Sequence, residues 1–368
     1  MTATVYMDYN ATVPVRPAAA EAAAAALAIG GNPSSVHGPG RAARRAVEDA
    51  REQVAAAIGA SPSAIVFTSG ATEANGLALA GSGRSRTLAS AIEHDSLRHA
   101  GPQVELVPVR GDGIVDLAAL DWMLAGDRRP ALVSLMLANN ETGVVQPVAK
   151  AAEIAHAHGA LLHCDAVQAV GRLAVDVGAL GVDLLSLSAH KLGGPAGVGA
   201  LFVGEGVELA PQLRGGGQER GRRAGTENVA GIVGFGIAAD IAVGELGSMA
   251  RIARLRDDLE ARMRAVRPEA LIFGARAPRL ANTVCVALPG VPAETQVMTL
   301  DLAGIAVSAG AACSSGKLRP SSVLSAMGID AQLAASAIRV SLGWRSEAMD
   351  IDRFMAAWSG LGARSLAA

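Results

Sequence analysis

The stretch SLSAHKLGGPAG, residues 186–197, sets Lys191 between small apolar residues and a glycine–proline turn. Lysine is ordinarily a surface residue, so at the end of a buried strand it either snorkels to solvent or has chemistry to perform. Asp165 raises the same question after the apolar run ALLHC. An unpaired carboxylate there would be costly or would protonate, and a buried cation would relieve it. A third element, TSGATE (68–73), reads as a strand, a small-residue turn and a helix start. Free backbone N–H groups and the Thr72 hydroxyl could hold a phosphate there, or simply cap a helix. It is neither a Walker loop nor a GxGxxG fingerprint.

Several elements must position these groups. From about residue 15 to 246, short apolar runs alternate with helical segments: AIVF (64–67), RTLAS (86–90), ALVSLML (131–137), ALLHC (160–164), DLLSLS (183–188) and GALFV (199–203). Continuous apolar runs flanked by helices are what a parallel sheet covered on both faces requires. The expected fold class is therefore α/β, with a mainly parallel doubly wound sheet in a large domain, residues 15–246. After residue 246 a charged helical stretch and the strand-like runs NTVCVAL, GIAVSAG and AIRVSLG indicate a smaller α+β domain, 247–368 together with 1–14. Ligands in open α/β sheets bind beyond the carboxyl ends of the strands. TSGATEAN, IEHDS, ANNETG, DAVQ and SAHK all follow strand-like runs, so five strand ends converge on one crevice. Pyridoxal phosphate needs a lysine for its Schiff base, an acid for its pyridinium nitrogen and a phosphate cradle. Lys191, Asp165 and the Thr72 turn supply one each.

Composition narrows the alternatives. A net charge of −2 with 18% charged residues offers no polybasic surface, so neither direct nucleic-acid binding nor an anionic membrane is expected. The arginines of RGGGQERGRRAG have acidic residues around them in a chain of near-neutral total charge, and fit a single-anion site or subunit contact better than RNA. No apolar run reaches the ~18 residues of a membrane span, and MTATVYMDYN lacks the features of a signal peptide. A cytoplasmic protein is expected. Three cysteines without a Cys-x-x-Cys pair argue against a disulfide framework or zinc site. His163 and Asp165 could share a strand face as metal ligands, but no third ligand has suitable spacing. His156 and His158 read as surface residues, and Cys164 and Cys285 as packing residues.

The ordered motifs MDYNATVPV, GNPSSVHGPGR, IVFTSGATEAN, EHDS, NNETGVVQP, HCDAVQAVG, SLSAHKLGGPAGVGAL, GGGQERGRRAGTEN, SAGAACSSGKLRPSSVL and IRVSLG run nearly end to end. In them the chain resembles the cysteine desulfurases of the NifS/IscS type, in the class V branch of fold-type I pyridoxal-phosphate enzymes. The resemblance implies that Lys191 forms the Schiff base and then acts as base at the substrate's α carbon. Asp165 would keep the ring nitrogen protonated, His94 would stack on the ring and shuttle a proton, and Gln168 would bond the phenolic oxygen. Ala71, Thr72, Ser188 and His190 would belong to the cofactor site, the last three at the phosphate, joined by Thr226 from the neighbouring subunit of a homodimer. Asn140, which would also belong to the cofactor site, and Arg339 would hold the substrate carboxylate.

Cys313 lies in SAGAACSSGKLRPSS, which reads as a mobile loop rather than core. Its position matches the family's nucleophile, whose thiolate takes sulfur from L-cysteine to leave L-alanine and an enzyme persulfide. The implied partner is an iron–sulfur scaffold or another sulfur acceptor. No intrinsic metal is expected, though the resemblance permits Cys313 to ligate a cluster shared with a scaffold. SAGAAC stands where the family commonly has SSGSAC, and the chain ends soon after SLGWR, where housekeeping members carry a longer scaffold-docking tail. Two other readings stay open: a selenocysteine lyase or other class V lyase or aminotransferase that does not use Cys313, and a non-catalytic partner in a sulfur relay.

Overall fold

The computed structural model describes residues 4–100, 104–309 and 321–361. In chain order, Val5–Tyr6 (β1) precedes helices Pro17–Leu27 (α1) and Gly38–Ala56 (α2). Strands and helices then alternate: Ile65–Thr68 (β2), Ala71–Gly81 (α3), Arg86–Ser90 (β3), Asp95–Arg98 (α4), Val104–Val107 (β4), Leu117–Gly126 (α5), Ala131–Ser134 (β5), Val148–Ala157 (α6), Leu161–Asp165 (β6), Val177–Leu180 (α7), Leu184–Ser188 (β7), Gly199–Val203 (β8) and Val229–Gly244 (α8). The remainder comprises Met249–Val266 (α9), Leu271–Phe273 (β9), Thr283–Ala287 (β10), Ala293–Leu302 (α10), Ile305–Ala306 (β11), Ser308–Ala309 (β12), Ser322–Ala326 (α11), Ala331–Ala334 (α12), Ala337–Ser341 (β13) and Ala348–Trp358 (α13).

The first group builds a seven-stranded sheet in the order β2-β8-β7-β6-β5-β3-β4. Its strands are rich in apolar residues and, apart from the edge strand β4, almost wholly buried, as a sheet covered on both faces demands. All neighbours are parallel except β8, which runs antiparallel to both β2 and β7. Grouping GALFV with the parallel runs therefore needs a correction in direction. The short connection after β7 cannot hold the crossover that a parallel return requires. Because β8 is reversed, β2 still points the same way as β7, and the carboxyl ends of β2, β3, β5, β6 and β7 share one edge.

Helix α8 is apolar around its circumference and packs under the sheet with α1 and α2, Phe235 lying fully buried there. Helices start where their sequences provide caps: the Asp116 carboxylate accepts from the N–H groups of Ala118 and Ala119, and Asn228 accepts from Gly231 N–H. In the second group, β12-β13-β10-β9 form an antiparallel sheet, while β1 pairs in parallel with β11. Val5 and Met7 pack in the same core cluster as Ile252, Leu259, Val340 and Trp358. The amino-terminal segment thus joins the carboxyl-terminal layer and then passes the strand ends of the large sheet. Among the described residues, no single helix is long and apolar enough to cross a membrane.

Candidate active site

A cavity of about 810 Å³ opens at the shared carboxyl edge. That is the size expected for a cofactor with a small substrate. Each of five strand ends contributes: Ser69, Gly70, Ala71 and Thr72 after β2, His94 after β3, Asn140 after β5, Asp165 and Gln168 at β6, and Ser188, His190 and Lys191 at β7. Arg339 enters from β13 and Asn10 and Ala11 from the amino-terminal segment.

The turn before α3 is built for close approach. Gly70 has φ 156° and ψ 177°, a conformation essentially restricted to glycine, and a Cβ there would meet nothing within 4 Å. The first N–H groups of an eleven-residue helix follow, beside Thr72. Glu73 folds back to accept from Ser69 N–H at 2.7 Å and is paired with Arg223 at 2.8 Å. Burial pushes its carboxyl up, but hydrogen bonds from Arg223 and Ser69 prevail and hold it below the usual range.

Lys191 is partly buried, and its ammonium donates to the carbonyl oxygens of Asn10 at 2.6 Å and Ala11 at 2.9 Å. Burial lowers its pKa to about 7, with the charges of Arg339 and Arg172 acting in the same direction and those of Asp165 and Asp8 opposing. His190 bonds Thr12 Oγ1 at 3.2 Å; burial, then the Lys191 charge, lower its pKa to about 4. At neutral pH it is a hydrogen-bonding group, not a cation.

Asp165 is 8% exposed and accepts from Asn75 Nδ2 and Val167 N–H, each at 3.0 Å. The cationic partner envisaged from the sequence is not what holds it: among the described residues, Asp165 forms no ion pair. Gln168 donates through Nε2 to Asn10 O at 2.9 Å, while its oxygen accepts from buried Arg172 at 2.6 Å. Arg339 donates to Asp8 at 2.7 Å and to Asn140 O at 3.1 Å, and its Nε is buried without a partner. That atom lacks the bond a bound carboxylate would provide.

Thr226 lies in a neighbouring cavity of about 110 Å³ that shares Ser69 and Gly197 with the larger one. Cys313 falls outside the described residues. On one side of that segment Ser308 donates to Asp8 at 2.8 Å, and on the other Ser321 donates to buried Glu141 at 2.6 Å. Burial raises Glu141 to about 7 and Glu93, which accepts from Ser90 and Met136, to about 8.

The candidate metal ligand His163 is fully buried, its Nδ1 2.8 Å from Ser134 Oγ and its Nε2 2.8 Å from Ser186 Oγ. Burial lowers its pKa to about 3, so it is a neutral bridge across three strands. Among the described residues, no group of three His, Cys, Asp or Glu could hold a metal ion. Cys164 and Cys285 are fully buried, and His156 and His158 lie at the surface beside Asp183 and Asp121. Sequence reasoning passed over Asp8, Asn10, Asn75, Ser96 and Arg172. The first two stand in the motif MDYNATVPV, but nothing local in it marks their distant partners.

Residues 5–354 match the family model for class-V aminotransferases. A protein named cysteine desulfurase from Cereibacter sphaeroides is 47% identical over 366 residues, covering 95% of this chain and 94% of its own length. A cysteine desulfurase IscS from Dictyoglomus turgidum is 41% identical, with 95% and 92% covered. The crystal structure of a NifS-like protein from Rickettsia africae superposes with a TM-score of 0.90 at 34% identity, covering 96% of this chain and 98% of that one. This chain therefore belongs to the class-V aminotransferases, in their NifS/IscS-type cysteine desulfurase group.

Proposed function

We propose that the protein is a pyridoxal-phosphate-dependent cysteine desulfurase that converts L-cysteine to L-alanine and passes the sulfur through a persulfide on Cys313. The carrying observation is Lys191, held without a carboxylate partner and with a pKa of about 7, in one cavity with Asp165 and the unsatisfied Arg339 Nε. The donor set fits the cofactor. Gly70 leaves open space before the α3 N-terminus for a phosphate, Thr72, Ser188 and His190 supply hydrogen-bonding groups, and Asp165 is a buried acceptor for a ring N–H. Ala71 belongs to the same turn, and Thr226 would be contributed by the second subunit of a homodimer.

The cofactor, when bound, supplies an electron sink for charge developing at the substrate's α carbon. Asp165 keeps the proton on the ring nitrogen. Lys191, neutral in a large fraction of molecules near pH 7, removes the α proton. Gln168 retains one amide N–H for the phenolic oxygen, since its other hydrogen and its oxygen are engaged by Asn10 and Arg172. His94, which lines the same cavity, would face the ring and shuttle a proton. Arg339 and Asn140 hold the carboxylate of L-cysteine. The Cys313 thiolate attacks the substrate sulfur as the carbon–sulfur bond breaks; the carbon takes a proton to become alanine and the sulfur stays as persulfide. Acceptors in iron–sulfur assembly or thiolation then receive it, in keeping with the IscS and NifS names of the relatives.

The test measures alanine and sulfide released from L-cysteine with a reductant, comparing the wild type with Cys313→Ala. Both products should appear in equal amounts and vanish in the variant that still binds the cofactor. Equal turnover by both proteins would remove Cys313 as sulfur carrier.

A further inference from the structure

An unbroken hydrogen-bond path joins Asp165 to His94 through two residues that the proposed chemistry does not use. Asn75 Nδ2 lies 3.0 Å from Asp165 Oδ2 and 2.9 Å from Ser96 Oγ, and Ser96 Oγ lies 2.9 Å from His94 Nδ1. Ser96 N–H donates to the same His94 nitrogen at 3.1 Å. Asn75 is fully buried on α3 and Ser96 partly buried on α4, so secondary structure fixes both.

The direction of every proton follows. A carboxylate only accepts, so Asp165 demands the amide NH₂ of Asn75. The second amide hydrogen then goes to Ser96 Oγ, whose own hydrogen is left for His94 Nδ1. That nitrogen already accepts a backbone N–H, which cannot reverse. We propose that Asn75 and Ser96 are positioning residues that transmit the polarity of the Asp165 carboxylate to His94, the Ser96 hydroxyl sharing the Nδ1 lone pair with the Ser96 N–H so that together they hold the ring in the Nε2–H tautomer. His94 then offers Nε2–H as its remaining donor, with no partner for it among the described residues. The group holding the ring nitrogen and the group covering the ring face would thus be oriented by one network. This inference rests on the desulfurase reading for the use made of His94, while the tautomer lock stands on the geometry alone.

The test is ¹⁵N NMR of histidine-labelled, cofactor-free, full-length protein, with the His94 signal identified by its loss in His94→Gln. The wild type should show a single Nε2–H form. Ser96→Ala keeps the backbone N–H, so the Nε2–H form should persist while the Nδ1 resonance moves downfield with loss of the hydroxyl donor; Asn75→Ala should move it less, and Ser96→Thr should restore the wild-type signal. In the loaded enzyme, Ser96→Ala should lower kcat about fivefold with KM little changed, the effect of one hydrogen bond of ~1 kcal/mol. Unchanged His94 nitrogen shifts in folded Ser96→Ala would overturn the proposal, and this variant decides even if Asn75→Ala fails to fold. A locked tautomer in a protein that releases no alanine would refute the desulfurase reading and leave the network standing. Alanine release with an indifferent His94 would do the reverse.

Discussion

Lys191→Met should make the cofactor-free protein more stable at neutral pH. The lysine's pKa falls from 10.5 to about 7, chiefly through burial. At ~1.36 kcal/mol per unit, that difference sets a ceiling of about 5 kcal/mol on what the folded state loses by housing this side chain. Partial exposure reduces the figure, and methionine forfeits the bonds to Asn10 O and Ala11 O, each worth ~1 kcal/mol. A net gain of roughly 2 kcal/mol remains, a rise of a few degrees in Tm for a chain of this length. The pH dependence has a definite sign. Between pH 7 and 10.5 the unfolded lysine holds a proton that the folded one has released, so wild-type stability climbs with pH across this window. Methionine does not titrate, and the other groups are common to both proteins, so the gap between variant and wild type should close toward pH 10.5.

The assay is a pair of thermal melts without cofactor, at matched concentration, in steps from pH 7 to 10.5. A variant less stable than the wild type at pH 7, or a gap that does not change with pH, would refute the reasoning. Reaction of Lys191 with an amine-selective reagent should reach half its limiting rate near pH 7, independently of any melt.

Arg51→Met should destabilise the fold by ~3–5 kcal/mol in denaturant titration, because it strands the Glu219 carboxylate, 2% exposed and bonded to Arg51 at 2.7 and 2.9 Å; adding Glu219→Leu should recover much of the loss. Glu93→Gln should leave melting unchanged near pH 4 and raise it near pH 8. Burial raises the glutamate to about 8, so the wild type loses stability as pH climbs from its ordinary 4.5 toward that value. Arg339→Lys should raise the KM for L-cysteine roughly 10- to 100-fold with a smaller change in kcat, since an ammonium lacks the planar fork by which one guanidinium holds Asp8 and Asn140 O and still presents Nε. An unchanged KM would move the carboxylate site elsewhere.

The crevice was legible because it is written in local signals. Apolar runs end in polar residues, and five such ends on one sheet edge place Thr72, His94, Asn140, Asp165 and Lys191 around one cavity. What stayed hidden depends on contacts between distant parts of the chain. Asp8 reaches Arg339 because β1 pairs with β11 and a bridge joins Asp8 to Ser341, neither of which leaves a periodic trace in MDYNATVPV. Arg172, in GRLAVD, carries no local sign of burial, yet it is 8% exposed and bonded to Gln168 and Tyr9. The reversal of β8 was obscured because a buried strand has the same composition in either direction.

The arrangement of charges explains how a lysine stays reactive in a site that contains two aspartates. Asp8 is consumed by Arg339 and by Ser308, and Asp165 by Asn75 and the Val167 N–H. Neither is hydrogen-bonded to Lys191, whose partners are neutral carbonyls. A carbonyl dipole accepts a bond from the amine whether or not it carries its extra proton, whereas a contacting carboxylate would favour the charged form and raise the pKa. Arg172 pushes the same way: it is buried, donates to three oxygens of neutral groups, and is itself lowered to about 10 by burial and by Arg339. Two guanidiniums near the amine thus leave a site short of negative charge. An incoming phosphate and a substrate carboxylate would supply that charge, so the electrostatic strain borne by the unliganded protein is relieved by the ligands proposed to bind there.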